Sequence, residues 1–557
     1  MPEPKQITLT IDGKSVAVPE GTTVLQACEK AASPVPFYCY HPGLSIAGNC
    51  RICLVEIEGM PKLQISCYTR AAEGMKVHTT SDKTLDGRKD VLEFLLINHP
   101  LDCPVCDQAG ECWLQDYYME HGLYDQRFNE TKVKKPKAVP IGKTVMLDAE
   151  RCILCSRCVR FTDEVTKTGE LGIFNRGDHS EIGIQPGQTL DRNNYAGNVV
   201  DICPVGALTD RDFRFKCRVW YLGSTPSVCP GCSRGCNIEL HHNREREWRP
   251  HIAKGERVMR LKPRYNADVN QWWMCDEGRY GYHFIDERRL SHVQVREGRG
   301  LRQGTWEEGY ARLQEVLGRL KAAQALDQAG VILSSHLTNE DLYAAKRVFG
   351  ALGLTRVVFQ RPTPGRHDDF LLQADKSPNA RGAAALGIAE GAEGLIALAE
   401  QQKLKALLVF TQDLVELFGG TRIQAAANRL ELLAFVGANE NPTAALAHLV
   451  LPGAVYAEKD GTFTNVDGRV QRIRAALGQW GEAKPEWQIL SELAAALGLK
   501  TAFTDAPSIF VELAKSERPF QGLSYQMLGN HGALLKDGSG LGVGGSGQRP
   551  RTPNPEP

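Results

Sequence analysis

The sequence predicts a multidomain α+β and α/β protein, and three observations carry that prediction. Fifteen of the 17 cysteines, with one histidine, fall into four groups of four within the first 275 residues. A strand–turn–strand–helix pattern precedes the first group. After the last group, helical stretches alternate with short apolar runs and no cysteine occurs. At roughly 150 residues per domain, 557 residues make about four domains.

Bulk composition narrows the function classes. The 66 Lys+Arg and 66 Asp+Glu residues cancel to a net charge of +0, so no nucleic-acid partner is expected. No apolar run reaches the ~18–20 residues of a membrane-spanning helix, so a place at a membrane has to come through other subunits. Met1–Gln6 is polar, with neither a twin arginine nor a signal-like apolar stretch after it, and thiols in this number read as intracellular.

Residues 1–80 read as a β-grasp ferredoxin-like domain. Ile7–Ile11 and Ser15–Val18 alternate apolar and polar residues around Asp12-Gly13, a hairpin signal, and Thr22/Thr23 can cap a helix over Val24–Ala31. Cys39, Cys50, Cys53 and Cys67 follow with spacing C-x10-C-x2-C-x13-C, whose first gap is longer than the four residues of plant-type ferredoxins. Pro42, Gly43 and Gly48 suit a loop that wraps a cluster with its N–H groups turned toward sulfur.

In residues 81–138, Leu85, Val91, Leu92, Leu95 and Leu96 recur at helical spacing until Asn98-His99-Pro100 stops the pattern. His99 is thereby placed at a helix end beside Cys103, Cys106 and Cys112. This His-Cys₃ set alone fits iron or structural zinc. Residues 139–220 contain Cys152-Ile-Leu-Cys155-Ser-Arg-Cys158, the run of bacterial ferredoxins, and Cys203-Pro204 supplies a separated fourth thiolate for one cubane. In residues 221–285, Cys229, Cys232, Cys236 and the distant Cys275 fit a zinc ribbon and a cubane alike.

Taken in order, these motifs resemble the G-type iron–sulfur subunits of NADH:quinone oxidoreductase, respiratory complex I, over about residues 5–290. Phe37-Tyr38-Cys39-Tyr40-His41, Cys103-Pro104-Val105-Cys106-Asp107, Cys152–Arg160 and Asp201-Ile202-Cys203-Pro204 are similar to that family's cluster loops. The resemblance implies one [2Fe–2S] cluster on Cys39/Cys50/Cys53/Cys67. It implies three [4Fe–4S] clusters, on His99/Cys103/Cys106/Cys112, on Cys152/Cys155/Cys158/Cys203 and on Cys229/Cys232/Cys236/Cys275. Electrons would arrive from a flavin/NADH-binding partner, pass the Cys39, Cys152 and His99 centres in turn, and continue toward quinone; the fourth centre lies off that route. The implied partners are other hydrophilic-arm subunits, with the membrane arm reached indirectly. The implied location is the cytoplasmic face of the inner (plasma) membrane, as a peripheral part of a proton-pumping complex. No substrate-turnover site or catalytic residue is expected on this chain.

Residues 286–520 alternate helices such as Trp306–Ala322 with apolar runs at Gly330–Leu333, Arg356–Phe359 and Leu407–Phe410, the pattern of an α/β layer structure. Leu451–Glu458 and Gly461–Asn465 resemble the molybdopterin-oxidoreductase fold, here truncated, and no molybdenum cofactor is expected. Residues 521–557 read as a flexible tail, in which Gly540–Gly545 matches GxGxxG without a strand before it. Lys132, Lys134, Lys135 and Lys137 read as a solvated linker. The alternatives are the same cluster arm in an NAD-linked hydrogenase or formate dehydrogenase, an active molybdopterin enzyme, and a zinc-stapled scaffold.

Overall fold

The computed structural model describes residues 5–122, 125, 127–243 and 256–536, which form two compact units, one through Tyr221 and one from Leu222. In the first unit, β1 (Gln6–Ile11) and β2 (Lys14–Pro19) pair antiparallel across Asp12 (φ 47°) and Gly13 (φ 81°). Both turn residues adopt the left-handed backbone that a two-residue hairpin of this hand needs. Ile7, Leu9 and Ile11 all point inward, as alternation requires. Thr23 and Gln26 close a capping box on α1 (Val24–Lys30), one residue short of the expected end. With β3 (Leu54–Ile57), β4 (Gln64–Ile65) and β5 (Lys76–His78), the sheet order is β2-β1-β5-β3-β4, and the β1–β5 pair is parallel. This is the β-grasp arrangement.

The rest of the unit is short elements connecting ligand loops. Helix α2 (Asp82–Leu96) is capped by Ser81, and α3 (Trp113–His121) starts directly after Cys112. Strands β6 (Val139–Pro140) and β7 (Val145–Leu147), helix α4 (Arg157–Arg160), the hairpin β8 (Leu171–Phe174) and β9 (Glu181–Ile184), helix α5 (Asn198–Asp201) and strand β10 (Leu208–Asp210) follow. Pairing of β10 with β7 brings the chain after Cys203 back beside the chain before Cys152.

The second unit opens with the antiparallel strands β11 (Leu222–Val228), β12 (Asn237–Asn243) and β13 (Val258–Pro263), then α6 (Asp276–Tyr280). Its main sheet comprises β14 (Gln294–Glu297), β15 (Gly300–Gln303), β16 (Ala329–Ser334), β17 (Val357–Gln360), β18 (Ala389–Glu390), β19 (Ala406–Phe410), β20 (Leu432–Gly437) and β21 (Leu449–Pro452). The order is β15-β14-β21-β20-β19-β16-β17-β18, parallel from β21 to β18 with an antiparallel hairpin at one edge. Strands β16, β19 and β20 are buried at every position, as a sheet covered on both faces demands.

Along β19 the faces alternate. Ala406, Leu408 and Phe410 join the core under α7 (Trp306–Ala322) and α8 (Asn339–Leu352), while Leu407 and Val409 join the opposite core under Glu393–Glu400 and Gly420–Ala427. Each of the leucine, valine and phenylalanine side chains among them contributes roughly 1.5–3 kcal/mol on burial.

Two expectations are corrected. Residues 521–536, read as the start of a tail, are packed: Leu528 is buried, and β24 (Ala533–Leu534) extends β22 (Gly461–Thr464) and β23 (Arg469–Ile473) into a three-stranded sheet. A four-residue helix and a two-residue strand are too short to leave a periodic signature. The Gly540–Gly545 motif lies outside the described residues. In the basic run, Lys134 and Lys137 are exposed as expected, but Lys132 and Lys135 are half-buried rather than solvated. Lys132 Nζ donates to the carbonyls of Leu96, Ile97 and His99 at 3.0, 2.9 and 2.9 Å, and Lys135 Nζ donates to Ser180 O at 2.6 Å.

Candidate iron–sulfur sites

Each of the four predicted sets is brought together. Cys53 and Cys67 flank the β3–β4 hairpin with sulfurs 3.4 Å apart, and Cys39 N–H donates to Cys50 Sγ at 3.4 Å. All four thiols are buried. Hydrogen bonds from Cys50 and Cys67 hold the Cys39 thiol well below its usual range, while bonding to Cys39 pushes those two up. Such mutual perturbation reflects direct contact between neighbouring thiols. Gly48 at φ 62° and Arg51 at φ 63° flank Cys50, and the backbone N–H groups of Asn49 and Cys50 face the Cys39 sulfur.

His99, Cys103, Cys106 and Cys112 line one cavity of about 320 Å³ together with Leu92, Leu114 and Arg151. The α2 helix ends at Leu96, and its terminal carbonyls, unsatisfied within the helix, are taken up by the Lys132 ammonium. Burial, then the nearby charge of Lys132, lowers the His99 imidazole to about 4. It is therefore neutral at ordinary pH, the form that can ligate. Burial pushes Cys112 up to about 11, and Cys103 is exposed.

Cys152, Cys155, Cys158 and Cys203 line a small enclosed cavity. Leu154 (φ 55°) and Ser156 (φ 60°) are left-handed residues alternating with the cysteines, and Leu154 N–H points at Cys152 Sγ, 3.3 Å away. This conformation is costly for leucine, and its occurrence here marks a loop shaped for its ligand. Burial raises Cys152 and Cys203 to about 12. In the second unit, Cys229, Cys232, Cys236 and Cys275 line another small cavity with Gly231 and Gly278. Cys229 N–H donates to Cys236 O at 2.9 Å, closing the loop between β11 and β12, and Cys275 caps α6 with its sulfur accepting from Gly278 N–H at 3.4 Å.

The donor chemistry fits iron–sulfur clusters. Soft sulfur ligands in apolar cavities, with backbone N–H groups aimed at several of the sulfurs, meet the known levers of such sites. Two glycines add a steric argument, because a methyl on Gly206 would lie 2.2 Å from Cys106 Sγ and one on Gly278 would lie 2.8 Å from Cys229 Sγ. Among the described residues no three His, Cys, Asp or Glu side chains surround one point as ligands of a single ion; three of the four sets instead surround cavities.

In the first unit the three sets touch one another through their loops. Asn49 Nδ2 donates to Leu154 O at 3.2 Å, and the Arg160 guanidinium donates to both Cys39 O and Cys155 O, tying the Cys39 set to the Cys152 set. Trp113 N–H donates to Pro204 O at 3.0 Å, and Arg151 pairs with Asp102 at 2.9 Å, tying the Cys152 set to the His99 set. Aromatic contacts between Phe37 and Trp113, with ring centroids 5.4 Å apart, join the first loop to α3. Sequence reasoning missed Lys132, Arg151, Arg160 and Gly206. Arginines flanking the CxxCxxC run and the glycine of Cys203-Pro-Val-Gly206 were the available signals, whereas Lys132, 36 residues beyond Leu96, carried none.

Comparison with known proteins agrees with this series. Profiles described as 2Fe-2S iron-sulfur cluster binding domain (residues 4–82), NADH-ubiquinone oxidoreductase-G iron-sulfur binding region (88–127), NADH-quinone oxidoreductase subunit 3, ferredoxin-like domain (142–209), Molybdopterin oxidoreductase Fe4S4 domain (223–287) and Molybdopterin oxidoreductase (378–496) match in that order. The chain is 40% identical to the G-type NADH-quinone oxidoreductase subunit of Rickettsia bellii over 330 residues, 59% of this chain and 46% of the relative. It is 29% identical to the protein of the same name from Rickettsia felis over 92% of this chain and 91% of the relative. It is 41% identical to the mitochondrial NADH dehydrogenase [ubiquinone] iron-sulfur protein 1 of Solanum tuberosum over 64% of this chain and 46% of the relative. The chain thus spans about half the length of most curated relatives it matches. The ligand motifs, the domain order and these relatives agree, and the chain is similar to the G-type iron–sulfur subunits of NADH-quinone oxidoreductase.

Proposed function

We propose that this chain is the iron–sulfur electron-transfer subunit of a respiratory NADH:quinone oxidoreductase, receiving electrons from flavin on an NADH-binding partner and delivering them toward quinone. The observation that supports the reading is the adjacency of the three ligand sets within one unit, and the order Cys39, Cys152, His99 is part of the proposal. When bound, the clusters supply one-electron carriers that need no proton-transfer residue. The residues of this chain contribute position and charge. Arg160 and Asn49 hold the first loop against the third, Trp113 and Arg151 hold the third against the second, and Lys132 fixes the backbone that presents His99.

The ligand sets are those named above, giving one [2Fe–2S] and three [4Fe–4S] clusters, with the Cys229 set off the main path. Residues 286–520 are a non-catalytic relative of the molybdopterin oxidoreductases, without molybdenum. The partners are the flavin-bearing subunit and other hydrophilic-arm subunits, and the complex places this chain at the cytoplasmic face of the inner membrane. No helix among the described residues is long and apolar enough to cross a membrane. The test is iron, zinc and molybdenum analysis of the anaerobically purified chain. About 14 iron atoms (2+4+4+4) without molybdenum is the expected result. About 10 iron with one zinc reassigns one set as structural, and stoichiometric molybdenum overturns the non-catalytic reading.

A further inference from the structure

Arg157 sits between Cys155 and Cys158, is only 2% exposed, and reaches all three ligand sets of the first unit through residues adjacent to ligands. Its Nη1 donates to the carbonyl of Ile202, the residue before Cys203, at 3.0 Å. Its Nη2 donates to the carbonyl of Tyr40, the residue after Cys39. Its guanidinium carbon lies 4.6 Å from the ring centroid of Trp113, the residue after Cys112, and 5.9 Å from that of Phe37. Among the described residues no carboxylate pairs with it, since its polar contacts are carbonyls and its remaining contacts are aromatic faces.

A buried guanidinium without a carboxylate is an expensive arrangement unless other negative charge compensates it. Here the groups around it that can carry negative charge are the thiols beside it in the chain, Cys155 and Cys158, and those adjacent to its carbonyl partners, Cys203 and Cys39. Two features separate Arg157 from an ordinary structural arginine. Its charge sits where three thiolate-ligated centres converge, and its planar fork and face are both used, which lysine cannot reproduce.

We infer that Arg157 is a positioning residue for electron transfer, a shared buried cation that fixes the three ligand loops relative to one another and raises the reduction potentials of the centres around it. The inference rests on the proposed ligand assignment. A fixed positive charge favours the reduced, more negative state of a nearby centre, so its removal lowers the potential. The shift is greatest for the Cys152 set, whose ligand run contains Arg157, smaller for the Cys39 set, and least for the His99 set behind the Trp113 ring.

The experiment compares the wild-type full-length chain with Arg157→Gln and Arg157→Lys, purified anaerobically, by iron content and by redox titration followed by electron paramagnetic resonance. Expected are full iron in all three, a downward shift in Arg157→Gln in the order given, and near-wild-type potentials in Arg157→Lys. If Arg157→Gln fails to load, Arg157→Lys decides: full iron with near-wild-type potentials supports the inference, and lowered potentials overturn it. Full iron with unmoved potentials in Arg157→Gln, equal shifts in both variants, or loss of iron from Arg157→Lys overturns it, the last by reducing Arg157 to a packing role. Wild-type chain without the expected iron refutes the ligand assignment instead, so the two failures are distinguishable.

Discussion

Gly206 is the position where one added methyl group tests the site most directly. A Cβ built there meets Cys106 Sγ at 2.2 Å, Gln108 Cβ at 3.1 Å and Arg151 Cδ at 3.7 Å. Non-bonded heavy atoms attract best at ~3.5–4.0 Å, so in Gly206→Ala the sulfur has to retreat by more than about 1 Å. The backbone of Gly206 is not left-handed, so the effect is steric alone. Overpacking a packed site costs ~1–3 kcal/mol, and here the atom that yields is the sulfur of a proposed ligand. Cys106 lies on the wall of the His99 cavity, and moving its sulfur opens the His-Cys₃ set.

The expected outcome is loss of one cubane, from about 14 iron atoms to about 10, with a proportionate fall in visible absorbance. Gly318→Ala is the control, because its methyl meets nothing within 4 Å on α7, and it should keep the wild-type iron content. Gly206→Ala with undiminished iron and an unchanged spectrum would refute the placement of Cys106 as a ligand against this backbone.

Two further outcomes follow from charge. His99→Cys replaces a neutral imidazole with a thiolate, which makes the site more negative and should lower the potential of that centre while iron is retained; a redox titration without a downward shift contradicts this. Glu340, at the start of α8, is fully buried, and burial pushes its carboxyl up to about 7 although Thr462 and Tyr525 donate to it. A carboxyl raised in the folded state stabilises fully below its unfolded value near 4.5 and loses that contribution as pH climbs through about 7. Up to about 3 kcal/mol should vanish across that window, and Glu340→Gln should flatten it; urea unfolding at about pH 5 and about pH 8 reads the difference. Equal pH dependence in both proteins counts against the assignment.

The grouping of the candidate ligands was legible because cysteine spacing is local chemistry. The Cys152-x2-Cys155-x2-Cys158 run and the hairpin around Asp12-Gly13 need nothing distant to be recognised. The α7 helix was likewise readable to its ends, since Thr305 caps it and its apolar positions recur at helical period. The fourth set remained open between zinc and iron on spacing alone, because Cys275 is separated from Cys236 by the whole of β12 and β13.

Residues 521–536 escaped because their structure is borrowed from partners: β24 exists only as an addition to β23. Lys132 was misread for a related reason. Three carbonyls converge on its ammonium only once α2 has ended and the chain has returned beside it, and no property of a basic run anticipates that.

The amino-acid sequence by itself therefore determined which atoms can ligate, how they are grouped, and the kind of layer that follows them, since each depends on residue type and short-range spacing. Tertiary structure alone decided which set neighbours which. The adjacency of the Cys39 and Cys152 sets is made by Asn49–Leu154 and Arg160–Cys39 contacts spanning 105 and 121 residues. Long-range contacts of this kind depend on where packing returns the chain, and spacing along the sequence carries no record of it.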